Sequence, residues 1–229
     1  MIQLYHADMS TCAQKVRLVL EQKKLAWNSH LLNLRHRDQH APEYLKLNPN
    51  GVVPTLIDHD NVIIESTVIC EYLDDAYPEN SLVPDAPENK ALMRQWTKWL
   101  DEFLHFHTGV LSGSIAFRFQ HLARPKDELE AYLSGIPDLR RRKRQRQQIE
   151  LGLEAPQFRE SILAFEIFLY TFSLSRFPKY LVLFIIITNL MPFPSIMMSN
   201  IAASFRWCSF VPVLKECGLI IRIQSIPRK

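Results

Sequence analysis

Glycine is scarce in this chain, six of 229 residues, and no glycine-rich run opens a helix in the manner of a phosphate-binding loop. The four cysteines, Cys12, Cys70, Cys208 and Cys217, form no CxxC pair and no dense framework. That excludes a disulfide-stapled scaffold and points to a reducing compartment. No basic segment followed by an apolar one precedes "IQLYH", so no secretory signal is expected and the expected location is cytoplasmic. No Ser-His-Asp pattern presents itself. The two histidines of "HFH", 105–107, stand two apart on an expected helix and point to different sides, so no metal site is expected.

Acidic residues run short only at the end. Residues 167–229 hold one, Glu216, against seven basic residues, and no charged side chain stands between Tyr180 and Phe205. Residues 1–166 carry a net charge of −3, against +3 for the whole chain. That overall balance argues against a nucleic-acid specialist. What is present is a globular composition, 47% hydrophobic and 22% charged, in a chain long enough for two small domains or one large one.

Residues 2–6 read as a short strand. Thr11 with Gln14 fits a capping box for the helix that follows, whose Val16, Val19 and Leu20 share a face. A second strand is expected around "NSHLLNL", 28–34. After the turn "NPNG", "VVPTLID" and "VIIE" read as two strands joined at His59-Asp60-Asn61. Ser66 is placed to cap the next helix, "STVICEYLDDAY". Residues 1–77 thus describe an α/β unit. "PENSLVPDAPEN", 78–89, reads as a linker. A helical domain over 90–170 follows, opened by a long helix on which Leu92, Trp96, Trp99, Phe103 and Phe106 recur at spacings of three and four. Further helices are expected at 126–133, 137–151 and 157–170. The basic run "RRRKRQR", 140–146, matches a nucleic-acid patch in composition, but on a helix flanked by Glu and Gln it reads as a solvated face.

Three places in the first unit carry chemistry. Pro54 interrupts an apparent strand, which leaves either a cis Val53–Pro54 bond or an edge-strand proline in trans. Glu65-Ser66 meets a helix N-terminus, where unpaired N–H groups suit a carboxylate and the acid suits an ammonium; a plain cap beside a surface acid is the other reading. Ser10, Thr11 and Cys12 begin the first helix. A hydroxyl there either caps or donates to a thiolate, and Cys12 is either that thiol or a buried spectator.

Taken in order, these blocks resemble the glutathione S-transferase family. "STCAQKVRLVL" looks like the Ser-type active-site segment of its zeta, phi and tau classes. "EYLKLNPNGVVPTL" and "VIIESTVICEYLDDAYP" match its most recognisable blocks. The resemblance implies a thioredoxin-like N-terminal domain followed by an all-α C-terminal domain, glutathione as co-substrate, no metal, and a homodimer. It implies Ser10 as the catalytic hydroxyl and Val53, Pro54, Glu65 and Ser66 as glutathione contacts, with Gln39 and His40 near the glycyl carboxylate. Many relatives carry Gln or Lys where this chain has Val52, so one polar contact is lacking. "STVICEYLDDAYPENSLVP" with "MRQWTKWLDE" is most similar to the bacterial β-aryl etherases, which cleave lignin-derived ethers with glutathione. On the helix Trp99–His107, the residues Phe103, Phe106 and His107 are candidates for the second-substrate pocket, or else domain core.

The resemblance fades after residue 166. The family's "SLAD"-like capping block should stand near "FSLSRFPKY", and its aspartate is missing. Residues 171–229 are therefore expected to form an atypical hydrophobic tail, either through a shifted frame or unspliced sequence near residue 167, or as a membrane tail of the kind found in the ganglioside-induced differentiation-associated proteins, which this chain resembles in "LYH" and "QKVRLV". The second origin implies a non-catalytic, membrane-tethered module instead of an enzyme.

Overall fold

A computed structural model of the chain describes residues 1–136 and 138–174. The expectations placed on residues 175–229 lie outside the described residues. Two compact units divide at Leu82 and Val83, inside the stretch expected to be a linker.

The first unit runs β1 (Ile2–His6), α1 (Thr11–Gln22), β2 (Trp27–Leu31), a 3-10 turn (Asp38–His40), α2 (Pro42–Leu47), β3 (Thr55–Asp58), β4 (Asn61–Ile64) and α3 (Ser66–Ala76). The sheet order is β2-β1-β3-β4, with β1 parallel to β2 and β3 antiparallel to both β1 and β4. That is the expected α/β unit. Period-two alternation in β1 sends Ile2, Leu4 and His6 to one face. There Ile2 and Leu4 join Val16, Val19 and Leu20 of α1, Leu56 of β3, and Ile69 and Leu73 of α3 in one core. Full burial of each such side chain contributes about 1.5–3 kcal/mol. The far end of α1 is fixed by an ion pair: Lys23 Nζ meets Asp74 Oδ1 of α3 at 2.7 Å, with both side chains buried.

The second unit opens with a nearly unbroken helical rod. It comprises α4 (Pro87–Trp99), a π turn (Leu100–Leu104), α5 (His105–Ser112), a second π turn (Gly113–Phe117) and α6 (Arg118–Leu122). After it come α7 (Lys126–Ser134), α8 (Leu139–Leu151) and α9 (Pro156–Leu174). The last helix runs past the expected limit at 170. Among the described residues, no helix is long and apolar enough to cross a membrane.

The basic run of α8 is not simply a solvated face. Arg142 donates to the carbonyls of Ser134 and Ile136 and so closes the end of α7. Arg144 lies over the Phe106 ring at 4.6 Å, and Arg146 pairs with Glu130 and Glu150. At the end of α8, Gly152 has φ +57 and ψ −115, which only glycine adopts without strain. A Cβ there would lie 1.9 Å from Nη1 of Arg118. That guanidinium is held by the carbonyls of Ile149 and Glu150. Gly152→Ala is therefore expected to cost about 1–3 kcal/mol, read as a lowered urea midpoint of the full chain with an unchanged far-ultraviolet spectrum.

Candidate functional site

Strand registers gather the predicted residues of the first unit at one edge of the sheet. His6, the last residue of β1, pairs with Leu31 at the end of β2. Tyr5 pairs with Thr55, the first residue of β3, which in turn pairs with Ile64 at the end of β4. The segments leaving or entering the sheet there carry Ser10, Gln39 and His40, Val53-Pro54, and Glu65-Ser66. Topology does this; their positions in the chain span more than fifty residues.

Ser10 is the N-cap of α1, with φ −81 and ψ 116, and its Oγ accepts from the Ala13 N–H at 3.2 Å. This corrects the capping box expected of Thr11 and Gln14: Thr11 is already helical, and Gln14 Nε2 reaches the Asp8 carbonyl at 3.4 Å instead. The bond from Ala13 uses a lone pair of the hydroxyl and leaves its hydrogen to be donated elsewhere. Cys12 sits half-buried within the first turn.

Of the two alternatives for Pro54, the chain takes the cis Val53–Pro54 bond. The turn before it is braced from α2. Tyr44 Oη donates to the Val52 carbonyl at 2.6 Å, and Asn48 Nδ2 donates to the same oxygen at 2.9 Å. Both side chains also reach Thr55 Oγ1. Burial pushes the Tyr44 phenol above its ordinary pKa, so the O–H stays a donor. Val52 itself is exposed. Gly51, at φ +59, lies so close to the His40 ring that a Cβ would come within 2.8 Å of Nδ1. The 3-10 turn is thereby packed on the turn that leads to Val53. Gln39, beside His40, keeps its Oε1 buried without a hydrogen-bond partner.

Glu65, not Ser66, is the N-cap of α3; Ser66 is its buried first residue. Glu65 has φ +68 and ψ 113, a conformation uncommon for a residue with a side chain. It leaves the acid exposed beside the open N–H groups of the first turn. Lys15 Nζ donates to Thr67 Oγ1 at 2.5 Å, tying α1 to that turn.

The three candidates in the second unit differ among themselves. Phe106 is exposed beneath Arg144. Phe103 is half-buried, stacked on Trp99, and meets the His107 ring edge-on at 4.8 Å. His107 is buried, with Nδ1 3.0 Å from Ser161 Oγ; the serine hydroxyl donates on to the Gln157 carbonyl, so the histidine supplies the proton between them. Burial lowers its pKa, opposed in part by Glu160. Its ring is thus a support beneath the two phenylalanines. Among the described residues, no group of His, Cys, Asp and Glu is arranged to hold a metal ion.

Residues 4–81 match the family model described as glutathione S-transferase, N-terminal domain. Among curated proteins, the chain is 33% identical over 135 residues to Protein LigF of Sphingobium sp. (strain NBRC 103272 / SYK-6), covering 58% of this chain and 52% of that protein. It is 41% identical over 96 residues to glutathione S-transferase Z2 of Arabidopsis thaliana, covering 42% and 43%. The chain thus spans about half the length of the curated relatives it matches. In fold it resembles the crystal structure of the β-etherase LigF from Sphingobium sp. strain SYK-6, with a TM-score of 0.75 at 24% identity over 99% of this chain and 96% of that one. It also resembles the transferase URE2P6 of Phanerochaete chrysosporium, solved with oxidized glutathione, with a TM-score of 0.58 at 21% identity over 98% and 95%.

Proposed function

We propose that this chain, a member of the glutathione S-transferase family through its residues 4–81, activates the thiol of glutathione for attack on an electrophilic carbon. The observation that carries the reading is the Ser10 hydroxyl, which caps α1 through a lone pair and keeps its hydrogen for the sulfur. The first turn of α1 adds a partial positive charge that favours the thiolate. The main chain at Val53, next to Pro54, pairs with the cysteinyl residue of the tripeptide. Glu65 takes the γ-glutamyl ammonium, and the first turn of α3 from Ser66 takes its carboxylate. Gln39 and His40 serve the glycyl end; the unpartnered buried oxygen of Gln39 supports a ligand there, since its amide can rotate to donate.

The thiolate sulfur forms a bond to carbon as the bond from that carbon to the leaving group breaks. In an aryl ether the leaving oxygen takes the electron pair and then a proton from water. Likeness to LigF supports this ether-cleaving form, and the Phe103 and Phe106 rings, backed by His107, support an apolar or aromatic second substrate. The active species is proposed to be a homodimer.

The test is turnover by the purified full chain with glutathione and either an activated aryl halide or a β-aryl ether. Glutathione-dependent release of halide or phenol, with retention on immobilised glutathione, is expected. Retention and turnover both absent would overturn the reading. If membrane partition were then found, and lost on deleting 167–229, the non-catalytic module would stand in its place.

A further inference from the structure

Ser10 is reached from β1 by a three-residue loop, Ala7–Met9, and two of its carbonyl groups are held from an unexpected side. Arg17, two turns along α1, donates from Nη1 to the Ala7 carbonyl and from Nη2 to the Asp8 carbonyl, both at 3.3 Å. The Ala7 carbonyl also accepts the Ser10 N–H at 3.2 Å. One guanidinium therefore fixes the peptide groups from which Ser10 hangs. It is itself aimed by His6, whose Nδ1 lies 2.9 Å from Nη1. Arginine has only donors, so Nδ1 accepts, and the ring proton sits on Nε2, facing Ser29 Oγ at 2.7 Å. His6 is 4% exposed and meets Trp27 edge-on. Burial first, then the Arg17 charge, holds its pKa below the ordinary histidine value against the opposing pull of Asp8; His30 on β2 adds to the lowering. The ring is neutral at neutral pH, as its accepting role requires.

We infer that Arg17, oriented by the buried His6, is a positioning residue that fixes the loop Ala7–Met9 and so sets the Ser10 hydroxyl against the glutathione sulfur. The inference rests on the assignment of Ser10 above and adds a group that touches neither substrate. A misplaced donor loses stabilisation of the thiolate, while the contacts to the rest of the tripeptide stay as they are.

The experiment is a pH titration of the bound thiol, followed by the ultraviolet absorbance of its thiolate, on four full-length proteins: the parent, Arg17→Leu, Ser10→Ala and the double variant. Arg17→Leu is expected to raise the thiol pKa by about one unit, about a tenfold loss of thiolate at a pH well below both values, with glutathione affinity close to the parent's. Added to Ser10→Ala, the same substitution should shift it no further. Should Arg17→Leu fail to fold, His6→Phe keeps a buried ring, removes the Nδ1 acceptor, and is expected to shift the thiol in the same direction. No shift in a folded variant overturns the inference, as does a shift that persists undiminished without the Ser10 hydroxyl. If Ser10→Ala alone leaves the thiol pKa unchanged, the assignment of Ser10 falls, and the role of Arg17 falls with it. That outcome is distinct from a failure of Arg17 on its own.

Discussion

Asp74→Ala is expected to destabilise the chain by about 3–5 kcal/mol, measured as the loss in unfolding free energy in urea. The Lys23 side chain is fully buried and the Asp74 side chain is 5% exposed. The Lys23 ammonium has two weaker acceptors besides the carboxylate, the carbonyls of Glu79 at 3.3 Å and Asn80 at 3.4 Å. The carboxylate also accepts from the Leu82 N–H at 2.8 Å and from the Ser81 hydroxyl at 2.7 Å. One substitution thus leaves a buried cation without its carboxylate and releases Ser81 and Leu82 from α3. A domain's whole stability is about 5–15 kcal/mol, so the first unit would sit close to unfolding. Asp74→Asn keeps an acceptor for Leu82 and lacks the charge, and should fall between. Replacing both partners by apolar residues, Lys23→Met with Asp74→Leu, should recover a large part of the loss, because no charge is then left buried alone. A loss under about 1 kcal/mol for Asp74→Ala would mean that Lys23 reaches water instead, which its burial argues against.

The strands and helices of the first unit were legible because their apolar residues repeat at two or at three and four, and because Pro and Asn mark the breaks. Their limits were less so. The strand expected at 28–34 stops at Leu31, since the chain turns away where Asn33 and Asp38 cap each other's backbone neighbourhood: Asn33 N donates to Asp38 Oδ2, and Asn33 Oδ1 accepts from Arg35. Two adjacent hydroxyls, Ser10 and Thr11, both fit a capping pattern, and only the extended backbone at Ser10 decides between them. The π turns of the second unit leave no mark either. Trp96, Trp99 and Phe103 keep an ordinary helical spacing across the first of them.

The site residues were legible as types in an order. Their gathering came from the sheet registers, which one sequence does not state. Tyr44 and Asn48 give no signal in the sequence, where a tyrosine and an asparagine before a turn look ordinary; their value lies in sharing the Val52 carbonyl and Thr55. His6 and Arg17 stand eleven residues apart on a strand and a helix, and no periodicity links them. One signal was present: His6 alternates in phase with Ile2 and Leu4, which places a polar ring on the core face, where it needs partners.

Ser10→Ala is expected to lower the rate of thiol transfer by about 10²–10³-fold while glutathione still binds, because it removes one donor aimed at a developing or resting anion. An unperturbed thiol has a pKa of about 8.5, and two units of lowering, worth about 2.7 kcal/mol, would make most of it thiolate at neutral pH. Without the hydroxyl only the helix end remains to favour the charge, and the thiolate fraction falls to a small part. The substitution does a second thing, since it removes the acceptor of the Ala13 N–H; losing an N-cap costs about 0.5–2 kcal/mol. A second variant separates the two effects. In Ser10→Asp the carboxylate is a good N-cap and restores the bond to Ala13, yet it offers no hydrogen and sets a negative charge against the sulfur. Its stability should match the parent's, and its turnover should be at least as low as that of Ser10→Ala. If Ser10→Ala retains turnover, the serine is only a cap. If the alanine variant alone is inactive and the aspartate variant works, the loss came from the frayed helix; an inactive aspartate variant at the parent's stability shows that an intact cap is not enough and that the group facing the sulfur must be an uncharged donor.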